Sequence, residues 1–104
     1  MEQFQVHITA ASPAPGTRRQ ASVGVNASGN IELLVERVLP ATECLVEVTT
    51  AVTGFRDLWQ AVIEDFCERC PTGGLRFAIN DGGARPDAVH LRLMQGAQAM
   101  GADA

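Results

Sequence analysis

No lysine occurs in this chain. Its 8 basic side chains are all arginine and are outnumbered by 12 acidic ones, for a formal charge of −4. A nucleic-acid backbone is bound through a basic stripe, so the charge balance argues against a nonspecific nucleic-acid binder. No apolar run approaches the roughly 20 residues that span a bilayer, which leaves no membrane role in view. The opening MEQFQVHITA lacks the basic n-region and apolar stretch of a secretory signal. Cysteines number 3, and an odd count closes no disulfide framework. The expectation is a reduced, cytoplasmic protein. Motifs for catalysis are missing as well: there is no G-x-S-x-G elbow, no H-E-x-x-H and no phosphate-cradling glycine loop.

What is present suits one globular domain over residues 1–104, with 46% hydrophobic and 19% charged residues. Phe4, Val6 and Ile8 alternate with Gln5, His7 and Thr9, the period of a half-buried strand. AASPAPGTRR breaks the pattern, and residues 11–20 are expected to form a mobile loop. Ala21, Val23 and Val25, then Ile31, Leu33 and Val35, alternate on either side of NASGN and read as a β-hairpin. Cys44, Val46 and Val48 mark another strand. Phe55, Leu58, Trp59, Val62, Phe66 and Cys70 then fall on one helical stripe, and PTGG ends that helix. Leu75, Phe77 and Ile79 alternate again.

The last segment fits both periods. Pro86 suits a first helical turn, while Gly96 inside a helix costs about 1 kcal/mol. The helix is favoured, with 96–104 as a frayed tail. The sum is an α+β domain: a mainly antiparallel sheet of four or five strands with two helices packed on one face.

Three groups of residues invite a chemical role. Cys67 and Cys70 form a C-x-x-C pair, a pattern used in redox pairs and zinc sites. The pair falls at the end of the predicted helix rather than its start, and Cys44, His7 and His90 follow no zinc spacing, so structural thiols and no metal are expected. His7 lies on the polar face of its strand, and His90 reads as a surface residue. Trp59, the single tryptophan, sits on the helical stripe and reads as core. No residue is assigned a catalytic role. Finally, VGVNASGNIELLVER carries Ser28 and Gly29 at the hairpin turn, where a serine beside glycine is ordinary turn chemistry.

Taken in order, the segments resemble the acyl carrier (delta) subunit of biotin-independent malonate decarboxylase. The resemblance is carried by VGVNASGNIEL, by VEVTTAVTGFRDLWQAVIEDF and by INDGGARPDAVHLRLMQGAQ, and runs from about Ala21 to Ala97. It implies that a serine hydroxyl is esterified through a phosphate to a phosphoribosyl-dephospho-CoA group, whose terminal thiol carries acetyl and malonyl units. By its position in the Ser-Gly turn that serine is Ser28, with Gly29 beside it. The implied partners are the transferase and decarboxylase subunits of the complex, together with the enzyme that attaches the prosthetic group. The chain itself is then a noncatalytic carrier. Asp81, Gly83 and Arg92 become candidates for partner docking or for bracing the hairpin.

The chain departs from the family's pattern at four places. Asn30 replaces an acidic residue after Ser-Gly, Asn80 and Gly82 replace a histidine and a phenylalanine, and Met94 replaces an acidic residue after Leu-Arg-Leu. A citrate lyase-type carrier, an unmodified scaffold or interaction subunit, and a thiol or zinc protein using Cys67 and Cys70 are the competing readings.

Overall fold

Side-chain alternation lays out the strands, and a change to a period of about 3.6 lays out the helices. The computed structural model describes residues 1–24, 30–84 and 86–101, with Pro86 and Asp87 described by their backbone alone. In chain order the elements are β1 (Glu2–Thr9), β2 (Gln20–Gly24), β3 (Ile31–Arg37), β4 (Glu43–Thr50), α1 (Arg56–Arg69), β5 (Leu75–Asp81) and α2 (Pro86–Met100). The strands form one sheet in the order β1-β4-β5-β3-β2. β4 and β5 are parallel, and the other pairings are antiparallel. A parallel pair cannot be joined by a tight turn, and here α1 makes the crossover. This is the expected α+β architecture, and the final segment is helical.

The alternation decides which face of the sheet is covered. Val6, Leu33, Val35, Val46, Leu75 and Phe77 are buried under the helices, as are Ile63 and Phe66 of α1 and Leu93 of α2. Burying one such side chain contributes about 1.5–3 kcal/mol, so this face supplies most of the stability. The opposite face is polar and open. There Arg76 on β5 joins Glu47 on β4 at 2.6 Å and Glu36 on β3 at 2.7 Å, tying three strands by charge. Among the described residues no helix is long and apolar enough to cross a membrane.

Three expectations change. First, the buried stripe of α1 is Trp59, Ile63, Phe66 and Cys67, whereas Phe55 and Leu58 are 49% and 44% exposed. The start of α1 overhangs a cavity instead of the sheet, so the apolar residues there are not core. Second, His90 is half-buried rather than on the surface. Its ring meets Phe66 edge-on with centroids 6.4 Å apart, and its Nε2 has no hydrogen-bond partner among the described residues. Third, residues 96–100, assigned to a frayed tail, form the end of α2, with Met100 fully buried. Residues 102–104 lie outside the described residues.

The segment expected as a mobile loop carries structure of its own. Ala14 is buried, and Pro13 bridges to Gly73. Arg37 donates to the carbonyls of Ala14, Pro15 and Arg18 at 2.9–3.0 Å, and to that of Met100 at 3.3 Å. One side chain thus holds the loop and also neutralises the C-terminal end of α2, whose last turn has no basic residue of its own.

Candidate functional site

Register gathers one end of the sheet. Thr50 of β4 pairs with Asp81 of β5, and Asp81 pairs with Ile31 of β3. The connection from β2 to β3 leaves from the same end. Val25 to Gly29 lie outside the described residues, and with them Ser28, Gly29 and the expected alternation at Val25. Both feet of that connection are described. On one side Gly24, at φ +79°, pairs with Glu32. A side chain there would collide with the Ile31 carbonyl and approach Arg92 Nε to 3.2 Å, so the left-handed glycine is sterically required.

On the other side Asn30 is held three ways. Its Oδ1 accepts from Ile31 N–H at 2.8 Å and from Arg92 Nη2–H at 3.3 Å, and its carbonyl accepts from Gly82 N–H at 2.8 Å. Arg92 also donates to Gln95 Oε1 at 2.9 Å. Its side-chain acceptors are therefore neutral amides, and its positive charge sits beside the connection without a carboxylate partner among the described residues.

Asp81 organises the neighbouring turn. Oδ2 accepts from the Thr50 hydroxyl at 2.7 Å, and that hydroxyl accepts from Val52 N–H at 3.2 Å. Oδ1 accepts from Ala84 N–H at 2.8 Å, and the Asp81 carbonyl from Ala51 N–H. The carboxylate is buried, at 6% exposure, and joins the β4–α1 connection to the β5–α2 turn. Gly83, at φ +103°, lets that turn close.

Between these two connections and α1 lies a cavity of about 260 Å³, with Val52, Phe55, Leu58, Trp59 and Val62 forming most of its wall. Thr50, Asp81, Gly83, Ala84 and Val89 complete it. Asp81, Gly83 and Arg92 are thus brought to one end of the molecule, Arg92 at the hairpin foot and the other two in the cavity wall. Sequence reasoning missed the cavity and the part of Thr50. A signal for the cavity was present in Phe55 and Leu58, two large apolar residues at the very start of the helix.

Cys67 and Cys70 diverge. Cys67 turns inward onto Cys44, and the shared hydrogen bond together with burial pushes the Cys67 thiol up. Cys70 is half-buried against the edge of the core, its Sγ 3.3 Å from Met94 Sδ. Trp59 is buried in the core, 7% exposed, as its place on the stripe predicts. Among the described residues no three His, Cys, Asp or Glu side chains come together as a metal site.

The family model of the malonate decarboxylase delta subunit (MdcD) matches residues 18–100. A malonate decarboxylase acyl carrier protein of Bradyrhizobium diazoefficiens is 56% identical over 95 residues, covering 91% of this chain and 90% of its own length. One from Xanthomonas euvesicatoria is 44% identical over 105 residues and covers both chains fully. A chain of a Pseudomonas malonate decarboxylase hetero-tetramer, solved in complex with malonate, superposes with a TM-score of 0.85 at 34% identity. That likeness covers 97% of this chain and all of the other. On a family model that matches residues 18–100 and relatives 44% and 56% identical along most of its length, the chain belongs to the malonate decarboxylase delta subunit family.

Proposed function

We propose that this protein is the noncatalytic acyl carrier of a malonate decarboxylase complex, and that Ser28 is its attachment point. The observation that carries the reading is the family match, which spans residues 18–100 and so includes the Ser28–Gly29 pair. The group expected on that serine is phosphoribosyl-dephospho-CoA, joined through a phosphodiester. When attached, it supplies a thiol on which acetyl and malonyl units are carried.

The described surroundings fit such a group. A phosphodiester is an anion, and Arg92 stands at the foot of the connection with its charge unpaired by any carboxylate among the described residues. In the sequence the neighbours of Ser28 are the small residues Ala27 and Gly29. Ser28 contributes one hydroxyl, activated once by the attaching enzyme, so no adjacent base is needed. β2 and β3 anchor the connection at both feet, and a long arm on an anchored base raises the effective concentration of its end at each partner site. The partners on this reading are the transferase and decarboxylase subunits, together with the prosthetic-group transferase. The Pseudomonas hetero-tetramer supports a place among other decarboxylase subunits.

The test is intact mass and peptide mapping of the protein co-expressed with its modifying enzymes. A gain equal to phosphoribosyl-dephospho-CoA on the Ser28 peptide is expected, and Ser28→Ala should keep the fold and lose the gain. An unmodified wild-type mass alongside demonstrably active modifying enzymes would sink the reading in favour of a scaffold.

A further inference from the structure

Attachment of an acyl-bearing arm at Ser28 does not by itself call for the cavity beside the hairpin foot. We infer that it receives the nucleobase of the attached group, an adenine, while the thiol-bearing chain stays outside. The inference rests on the carrier reading for which nucleotide is at hand, and on the cavity for everything else.

Size limits the occupant first. Pockets for drug-sized ligands measure about 300–1,000 Å³, so a cavity of about 260 Å³ takes a fragment and not a whole coenzyme. Its walls limit the chemistry next. Phe55 and Trp59 offer ring surface, and Val52, Leu58 and Val62 add aliphatic surface, which together suit a flat uncharged ring. The polar side is Asp81, already accepting from Thr50 and from Ala84 N–H.

A carboxylate can only accept, and each oxygen keeps a further lone pair. The wall therefore favours an N–H donor such as the exocyclic amine of adenine. The same wall repels a phosphate or a malonyl carboxylate. An acetyl group brings no donor at all. Pantetheine amides do bring donors, but a flexible chain loses more freedom on burial and gives the rings nothing to stack on. The turn that carries Asp81 and Gly83 also holds Asn30 through Gly82, so the cavity wall and the hairpin foot are one hydrogen-bonded unit. Holding the base there covers Phe55 and Leu58 and shortens the free arm to its acyl-bearing half.

Trp59 makes the inference testable, because it is the single tryptophan and lines the cavity. The unmodified protein is titrated with adenosine and, separately, with pantetheine. Trp59 emission and its indole N–H resonance are followed. A tethered base needs little intrinsic affinity: effective concentrations in the millimolar range match a Kd of about 1 mM. Adenosine is expected to shift both signals saturably on that scale while pantetheine leaves them unchanged. Val62→Phe and Val52→Phe, which narrow the cavity from two sides, should each weaken the response by about tenfold, or roughly 1.4 kcal/mol, in variants that melt as the wild type does. No saturable adenosine response by about 10 mM, on the scale of that expected affinity, overturns the inference, as does a response to pantetheine in its place. The titration uses unmodified protein, so it succeeds or fails independently of the mass measurement that decides the carrier reading.

Discussion

At residue scale the hairpin foot turns on a neutral side chain where the family's pattern has an acidic one. Among the described residues the Asn30 side chain bonds only through Oδ1, accepting from Ile31 N–H and Arg92, so an aspartate fits the same position. Asn30→Asp should turn the contact with Arg92 into an ion pair and stabilise the fold by about 0.2–1 kcal/mol. Thermal melts at low salt should show a midpoint higher by a few degrees, a gain that shrinks as salt screens the pair. The resemblance had already singled out Asp81, Gly83 and Arg92, but their division of labour was not legible. Asp81 and Thr50 are 31 positions apart, and their hydrogen bond exists because β4 and β5 pair in parallel. Ser28 and Gly29 were readable only through the resemblance, since a serine beside glycine in a turn has no chemistry of its own to announce.

Among the elements, α2 shows how packing overrides local preference. Gly96 costs about 1 kcal/mol of helix propensity relative to alanine, yet a Cβ there would stand 2.6 Å from Leu33 Cδ2 and 3.0 Å from Val35 Cγ2. Both of those side chains are buried and cannot swing aside. Gly96→Ala should therefore destabilise the protein by about 1 kcal/mol net, since overpacking costs about 1–3 kcal/mol. A propensity-dominated site would give the opposite sign in a denaturant melt.

Arg37 acts between elements. Arg37→Met removes a cation that four carbonyls share and should cost about 1.5–3 kcal/mol, the scale of a charged hydrogen bond. Amide exchange should rise first in residues 10–19 and in the last turn of α2. The sequence showed two prolines and a glycine in that loop and no periodicity. The anchor that restrains the loop is an arginine distant in the chain, out of reach of any local pattern.

For the whole molecule, the buried thiols couple stability to pH. In the folded chain Cys67 keeps its proton above the pH at which an unfolded thiol, with a pKa of about 8.5, releases it. The unfolded state then binds fewer protons, so stability is fully present below about pH 8.5 and falls above it. The limiting slope is about 1.4 kcal/mol per pH unit for one thiol. Denaturant melts from pH 7 to 10 should show the fall, and replacing both Cys67 and its hydrogen-bonded neighbour Cys44 by alanine should flatten it, because burial would raise Cys44 once the bond to Cys67 is gone.

The last segment fitted both periods, but by itself the sequence determined the strands, the first helix, the α+β class and the family. Each of these is written in short-range periodicity or in residues taken in chain order. Only the tertiary structure decided the strand order β1-β4-β5-β3-β2, the inward turn of Cys67 onto Cys44, the need for glycine at 96 and the cavity under Phe55 and Leu58. All four depend on which distant surfaces meet, and that is settled by the summed burial of the whole apolar face rather than by any one stretch of chain.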